Sequence, residues 1–223
     1  MQQQRFVRAY ERGNQVIYVD QTGRRWVREG GTRSWRNNNP GNLRSTRFTR
    51  RHGAIGSAGG FAVFPDYQTG RNALATLLRG ATYRNLTIAQ MVSRYTATDQ
   101  EAYRQCLRRY SNLNLDRRIR DLTDAEFQRL LDAIQRCEGW REGREFPQRR
   151  VIRTRQDRYG RLIGFLVEGE TDFIPLEIAL QLAERGEIEA VIVHPRNRHP
   201  YIRAYPDAFT DNNFDAIAER MRR

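Results

Sequence analysis

The spacing of the apolar residues changes along the chain, and this change limits the fold more than any other feature of the sequence. From Gly70 to Leu78 the alanines and leucines recur on one face of a helix. The same helical period returns in three later segments, and a capping-box pattern at Thr123 precedes the last of them. The predicted helices are Gly70–Leu78, Ile88–Tyr95, Glu101–Tyr110 and Ala125–Cys137.

The region before these helices has a different character. Val16–Val27 is rich in β-forming residues on both sides of an Asp-Gln-Thr-Gly turn, which predicts a β-hairpin. Glycine, proline and asparagine then dominate from Gly30 to Gly60, which predicts a loop-rich segment. Ordered loops of this length commonly carry binding or catalytic residues.

A second change in composition separates the two ends of the chain. Gly139–Arg150 is rich in glycine and arginine and poor in apolar residues, so we place a domain boundary there, between 1–148 and 149–223. Beyond it, two apolar segments precede a predicted helix at Leu176–Arg185 and a buried strand at Ala190–Val193. The second domain is therefore predicted to be a small β-β-α-β unit.

The net charge indicates the kind of partner. The chain has 39 basic residues, all of them arginine, against 26 acidic residues, for a net charge of +13. Residues 1–148 hold 26 of the arginines and 14 of the acids, so nearly all of the excess lies in the first domain. Guanidinium groups suit carboxylate and phosphate, which favours nucleic acid, a cell-wall polymer or an acidic membrane face as the neighbour.

Several function classes are disfavoured by what the sequence lacks. No apolar stretch is long enough for a membrane span, and residues 1–13 lack the apolar centre of a signal peptide. No Cys-x-x-Cys motif or His/Cys cluster suggests a metal, so neither a metal nor a cofactor is expected. Cys106 and Cys137 fall in predicted helices and are either a bridge between packed helices or two buried thiols.

The most unusual string runs from Gly30 to Arg44 and contains Asn37-Asn38-Asn39-Pro40-Gly41-Asn42-Leu43. Asparagine tolerates left-handed backbone and forms Asx turns, so the string is consistent with an elaborate turn. Its amides and arginines also suit sugar hydroxyl and acetamido groups, which need several fixed donors and acceptors. Both interpretations follow from the residues alone.

This string resembles the Asn-Asn-Asn-Pro-Gly-Asn-Leu segment of phage structural proteins and bacterial toxin domains in the lysozyme-like superfamily. The resemblance covers about residues 15–143. It implies a cell-wall glycosidase and a mostly helical lysozyme-like domain with an N-terminal β-hairpin. Together with a small α+β C-terminal domain, the predicted fold class is α+β. Further matches are Gly53–Gly56, Gly60–Phe64, Gly70–Ala73, Leu86–Ile88, Tyr95, Tyr103 and Glu138–Trp140.

A glycosidase needs a carboxylic acid that stays protonated, and two glutamates are candidates. Glu138 ends a predicted helix beside Trp140, and both the neighbouring indole and the helix dipole would raise its pKa. Glu29 lies eight residues before Asn37, and its arginine neighbours favour the charged form that suits a base or a nucleophile. The alternatives are an ion-paired helix-end carboxylate for Glu138 and a solvated strand-end charge for Glu29.

The expected substrate contacts combine the amides and arginine of the string with nearby aromatic residues. The aromatic residues can pave a sugar groove, although packing in the core is the alternative for each of them. The predicted substrate-binding residues are Asn37, Asn38, Asn39, Asn42, Arg44, Trp35, Phe61, Tyr95, Tyr103 and Trp140.

The C-terminal part resembles a small domain family of unknown function that is often appended to other domains. The match covers about residues 151–217. It rests on Tyr201-Ile202-Arg203, Pro206-Asp207 and Asn212-Asn213-Phe214-Asp215. We expect an accessory binding or packing module.

The sequence therefore predicts a muramidase that cleaves the β-1,4 bond after N-acetylmuramic acid in peptidoglycan. The resemblance implies an antibacterial effector, for example of type VI secretion, or a phage-type lysin that reaches the periplasm of a target bacterium without a signal peptide. Its partners would be glycan strands, a secretion-machine carrier and an immunity protein. The alternatives are a nonenzymatic wall-binding or phage structural protein, and a nucleic-acid-targeting toxin, which the lack of a nucleic-acid module disfavours.

Overall fold

The computed structural model describes residues 6–97, 99–196, 199–206 and 213–220. The fold is α+β, with about 33% helix and 27% strand, the strands forming three sheets in the described residues. The prediction of a mostly helical lysozyme-like domain is therefore wrong, because short segments without a clear period join the hairpin to form a large sheet. Contacts divide the chain into two compact units, Met1–Glu145 and Phe146–Arg223.

A six-stranded sheet with the strand order β5-β4-β1-β2-β3-β6 has strands β1 to β5 in the first unit. Strands β2 and β3 form the antiparallel hairpin that the sequence predicts around the Asp-Gln-Thr-Gly turn. Strand β1 pairs with β2 on one side and runs parallel to β4 on the other. The strands are β1 (Phe6–Arg12), β2 (Gln15–Asp20), β3 (Arg25–Glu29), β4 (Gly56–Ala58), β5 (Phe61–Val63) and β6 (Arg144–Pro147).

Side chains at the helix starts cap the four longer helices of this unit. Asp66, Thr87, Asp99 and Thr123 each accept a hydrogen bond from a backbone N–H three residues later. Such a cap contributes about 1 kcal/mol to stability. The four helices predicted from apolar spacing are confirmed. The helices are α1 (Arg33–Arg36), α2 (Arg47–Arg51), α3 (Tyr67–Arg79), α4 (Ile88–Tyr95), α5 (Gln100–Ser111) and α6 (Asp124–Cys137).

The main core of the first unit lies where helices α3 to α6 pack together. Leu74, Leu78, Met91 and Leu130 are fully buried there. Full burial of each such side chain contributes roughly 1.5–3 kcal/mol. Cys106 in α5 and Cys137 in α6 form a disulfide with a Cα–Cα distance of 5.9 Å, so the two cysteines are a bridge between packed helices.

The second unit has its own core, around Phe165, Val167, Ala183 and Ile202. One sheet has the order β12-β7-β8-β9, and β10 pairs with β11 in another. Asn197, Arg198, Asp207, Asp211 and Asn212, in or near the motifs that carry the C-terminal resemblance, lie outside the described residues. The elements are β7 (Val151–Gln156), β8 (Leu162–Val167), β9 (Ile174–Pro175), α7 (Leu176–Glu184), β10 (Val191–Val193), β11 (Tyr201–Arg203) and β12 (Ala218–Arg220).

Two features of the described ranges bear on membranes and on metals. None of the helices in these ranges is long and apolar enough to cross a bilayer. Within the same ranges, no group of three or more histidine, cysteine, aspartate or glutamate side chains is placed to hold a metal ion.

Candidate active site

A cavity of about 570 Å³ opens in the first unit, and its size is within the range of ligand-binding sites. It is bounded by the end of the Asn-rich loop, by Phe61 of β5, by the C-terminal end of α4 and by Glu138. Four aromatic and three arginine side chains are among its lining residues. Prominent lining side chains are Arg33, Asn42, Arg44, Phe48, Phe61, Tyr83, Arg94, Tyr95 and Glu138.

Glu138 is the C-cap of α6, and its backbone N–H donates to the carbonyl of Ile134. Its carboxyl group points to two side chains from distant parts of the sequence. Asn42 Nδ2 donates to Oε2 at 2.8 Å, and the Tyr103 hydroxyl donates to Oε1 at 2.8 Å. One helix end, one neighbouring helix and one loop therefore fix the orientation of this carboxyl group.

Burial raises the pKa of Glu138 above its usual range. The hydrogen bonds from Asn42 and Tyr103 and the positive charge of Arg33 stabilise the ionised form and act against burial, but the net pKa shift remains upward. The sequence predicts a raised pKa from the indole of Trp140. In the structure that ring packs against Tyr67 at 5.3 Å between centroids, and Trp140 is not among the residues that line the cavity.

Tyr103 and Tyr95 lie side by side behind the carboxyl group, with ring centroids 6.3 Å apart. Burial raises the pKa of both phenols far above the usual value, and the nearby charge of Glu138 adds to the effect. Tyr103 therefore remains a hydrogen-bond donor at any physiological pH. The Tyr95 hydroxyl donates to the carbonyl of Gly41. A Cβ atom at position 41 would lie 2.6 Å from that hydroxyl oxygen, so only glycine fits there.

The first three asparagines of the string lie beneath the cavity wall, not on it. Asn37, Asn38 and Asn39 are buried, with exposed fractions of 1%, 3% and 0%. Asn39 Nδ2 donates to the carbonyls of Leu43 and Ala62 at 2.9 Å, and its Oδ1 accepts from the Leu43 N–H. The amide N–H groups of all three donate to backbone carbonyls of the loop, of β4 and β5 and of the residue after β5, so these side chains hold the fold together and do not line the cavity.

Asn42 is the asparagine of the string that reaches the cavity. Its backbone is left-handed, with φ at +45°, and its side chain points toward Glu138. Its Oδ1 is buried and has no hydrogen-bond partner in the described part of the chain. An amide carries a donor and an acceptor, so by turning over Asn42 can also accept a hydrogen bond from protonated Glu138.

The remaining predicted contacts divide between the cavity and the core. Phe61, Arg44 and Tyr95 line the cavity. Trp35 is only 8% exposed, packs under the guanidinium of Arg28 and does not line the cavity. Arg33 also lines the cavity, a position that no motif of the sequence indicates, although the arginine excess of residues 1–148 is the signal that points to such a residue.

Glu29, the second candidate acid, lies at the end of β3 and does not line the cavity. Its carboxyl group accepts a hydrogen bond from Gln15 at 2.9 Å and forms an ion pair with Arg144 at 3.4 Å. The structure therefore does not bring Glu29 to Glu138. Among the described residues that line the cavity, Glu138 is the one acid.

Comparison with protein-family models found no match to this chain, and comparison with curated proteins found no significant similarity.

Proposed function

We propose that the first unit is a peptidoglycan hydrolase, a muramidase in which Glu138 is the general acid. The observation that carries the proposal is the partly buried Glu138 carboxyl group with its raised pKa, held by Asn42 and Tyr103 at the edge of a ligand-sized cavity. A carboxylic acid whose pKa is raised by burial is the kind of group that glycoside hydrolysis uses to protonate the leaving oxygen.

In the proposed reaction, Glu138 gives its proton to the glycosidic oxygen as the bond from that oxygen to C1 of N-acetylmuramic acid breaks. The ionised carboxylate then accepts hydrogen bonds from Asn42 and Tyr103 and lies close to the positive charge that develops on the sugar. A water molecule adds to C1 and returns a proton to Glu138. This cycle needs no second acid, in keeping with the single carboxyl group among the described lining residues.

The proposal includes an oxidising place of action, outside the cytoplasm of the producing cell. The Cys106–Cys137 disulfide supports this, since such bridges persist in oxidising compartments. As an antibacterial effector or phage-type lysin, the protein would act on the wall of a target bacterium, and a producer would need an immunity protein against it.

The test uses purified wild type, Glu138→Gln and Glu29→Gln with peptidoglycan sacculi, and identifies the released fragments by reducing-end analysis and mass spectrometry. We expect disaccharide-peptides with reducing N-acetylmuramic acid from wild type and from Glu29→Gln. We expect Glu138→Gln to be at least about 100-fold slower, because a general acid contributes typically 10²–10⁴-fold.

Glu29→Gln is the matched control, since it makes the same chemical change outside the cavity. Equal thermal unfolding midpoints for the three proteins would show that the loss is not one of folding. No release by wild type, with binding to sacculi retained, would contradict the hydrolase and favour a nonenzymatic wall-binding protein.

A further inference from the structure

Three arginine side chains line the cavity beside Glu138 without an acidic partner. Arg33, Arg44 and Arg94 are exposed, and none of them forms an ion pair with an acid in the described ranges. Other arginines of the first unit do form such pairs, for example Arg28 with Glu145 and Arg71 with Asp132, both at 2.7 Å. The cavity therefore presents positive charge that the protein itself does not neutralise.

Arg33 and Arg44 are positioned by the same aromatic ring. Their guanidinium carbons lie 4.3 Å and 4.5 Å from the centroid of Phe61. A cation–π contact fixes a planar guanidinium group and leaves its N–H edge available for a carboxylate. Neither guanidinium group donates a hydrogen bond to another described residue, so both edges remain available.

Arg33 also has an effect on the acid. Its positive charge lowers the pKa of Glu138, against the upward effect of burial. In the free protein this arginine therefore reduces the fraction of Glu138 that is protonated. An anion bound to Arg33 would neutralise the charge and remove this opposition, so that binding of an anionic substrate and protonation of the acid would support each other.

We propose that Arg33 and Arg44, held on the ring of Phe61, form an anion-binding subsite for a carboxylate carried by the glycan next to the cleaved bond. The inference rests on the proposed function and names its substrate class, which is a glycan that carries carboxylates and not a neutral glycan. Such a carboxylate comes from the lactyl group of muramic acid or from the peptide attached to it.

The experiment measures binding by the full chain carrying Glu138→Gln, so that no substrate is cut. Four glycans are compared: peptide-bearing strands, the same strands with their carboxyl groups converted to amides, strands stripped of peptide to free the lactyl carboxylate, and neutral chitohexaose. We expect carboxylate-bearing strands to bind about tenfold more tightly than the amide-converted strands and chitohexaose. Tight binding of stripped strands identifies the lactyl carboxylate, and tight binding of peptide-bearing strands alone identifies the peptide.

In the variant that carries Glu138→Gln together with Arg33→Gln and Arg44→Gln, we expect the preference for carboxylate-bearing strands to fall to within about twofold. The matched control carries Arg108→Gln and Arg129→Gln, which remove the same charge from exposed positions of α5 and α6. It should keep the preference. Thermal unfolding of each variant verifies that it is folded.

Equal affinity for carboxylate-bearing and amide-converted strands overturns the subsite. A preference that survives the loss of Arg33 and Arg44 also overturns it, and so does the absence of binding to any of the four glycans. The proposed function fails separately. Cleavage of sacculi by wild type without a carboxylate preference removes the subsite and leaves the hydrolase, whereas a preference without cleavage removes the hydrolase and leaves the subsite.

Discussion

At the scale of single residues, opposing effects determine the protonation state of Glu138. Burial favours the neutral acid, while Asn42, Tyr103 and Arg33 favour the carboxylate. An acid that serves catalysis has to be protonated before the bond breaks and stable as an anion afterwards. The two hydrogen-bond donors meet the second need, and burial meets the first.

Tyr103→Phe tests this balance. The hydroxyl stabilises the ionised form, so its removal raises the pKa of Glu138 further and moves the alkaline limb of the pH–activity profile to higher pH. Because the carboxylate loses one of its two donors, we also expect activity to fall and the free energy of unfolding to drop by about 1–3 kcal/mol above that limb. The measurements are pH profiles of kcat/KM and urea unfolding.

Tyr110→Phe is the matched control, since Tyr110 lies on the same helix and is 42% exposed. It should leave the profile in place. An alkaline limb that stays put or moves to lower pH in Tyr103→Phe would show that this limb does not report Glu138.

The sequence motif indicates residues of the candidate site but not the contacts between them. The motif selected Glu138, Asn42 and Tyr103, which the structure brings together, but their contacts join positions 96 and 35 residues apart and no local pattern encodes them. Asn37, Asn38 and Asn39 looked the same as Asn42 in the sequence. Asn38 and Asn42 both have left-handed backbone, with φ at +50° and +45°, so packing in the folded chain, and not local conformation, determines which amide faces the cavity.

At the scale of elements, the helices were predictable and most of the strands were not. Capping residues and apolar spacing mark α3 to α6 over many residues. Strands β4 and β5 have three residues each, too few for a period. They pair with each other, and β4 pairs with β1 because Gly56 lets the two backbones approach. A Cβ atom at position 56 would lie 1.9 Å from the Ala9 carbonyl oxygen.

The bridge between α5 and α6 joins the two helices that carry the acid and its tyrosine. Cys137 directly precedes Glu138, and Cys106 lies three residues after Tyr103. The closed loop has a sequence separation of 31 residues, so its loss in Cys106→Ala with Cys137→Ala is expected to lower the free energy of unfolding by about 3–4 kcal/mol. Activity on sacculi should fall with it, because the helices are no longer held at the Tyr103–Glu138 contact.

Urea unfolding and fragment release, measured well below the unfolding midpoint of the variant, check both expectations. Dithiothreitol should reproduce the loss in wild type and have no further effect on the double variant. Full activity of a folded, reduced wild type would show that packing alone keeps the two helices in place.

At the scale of the whole molecule, the charge is distributed unevenly between regions that each have their own core. Residues 1–148 hold 26 arginines and 14 acids, whereas residues 149–223 hold 13 arginines and 12 acids. The positive field therefore originates mainly from the region that contains the cavity. Such a field raises the rate at which an anionic surface is encountered, in addition to any contact made at Arg33 and Arg44.

This field predicts a strong dependence on salt. Raising the salt concentration from about 0.05 M to 0.5 M shortens the distance over which charges act to a few ångströms, and we expect the rate of fragment release from sacculi to fall on the order of tenfold. Cleavage of a neutral soluble glycan should change little, because a neutral substrate is not attracted by the field. The unfolding midpoint should also shift by only a few degrees, since exposed ion pairs contribute little to stability. Release from sacculi that is independent of salt would mean that the net charge of +13 does not serve recognition of the wall.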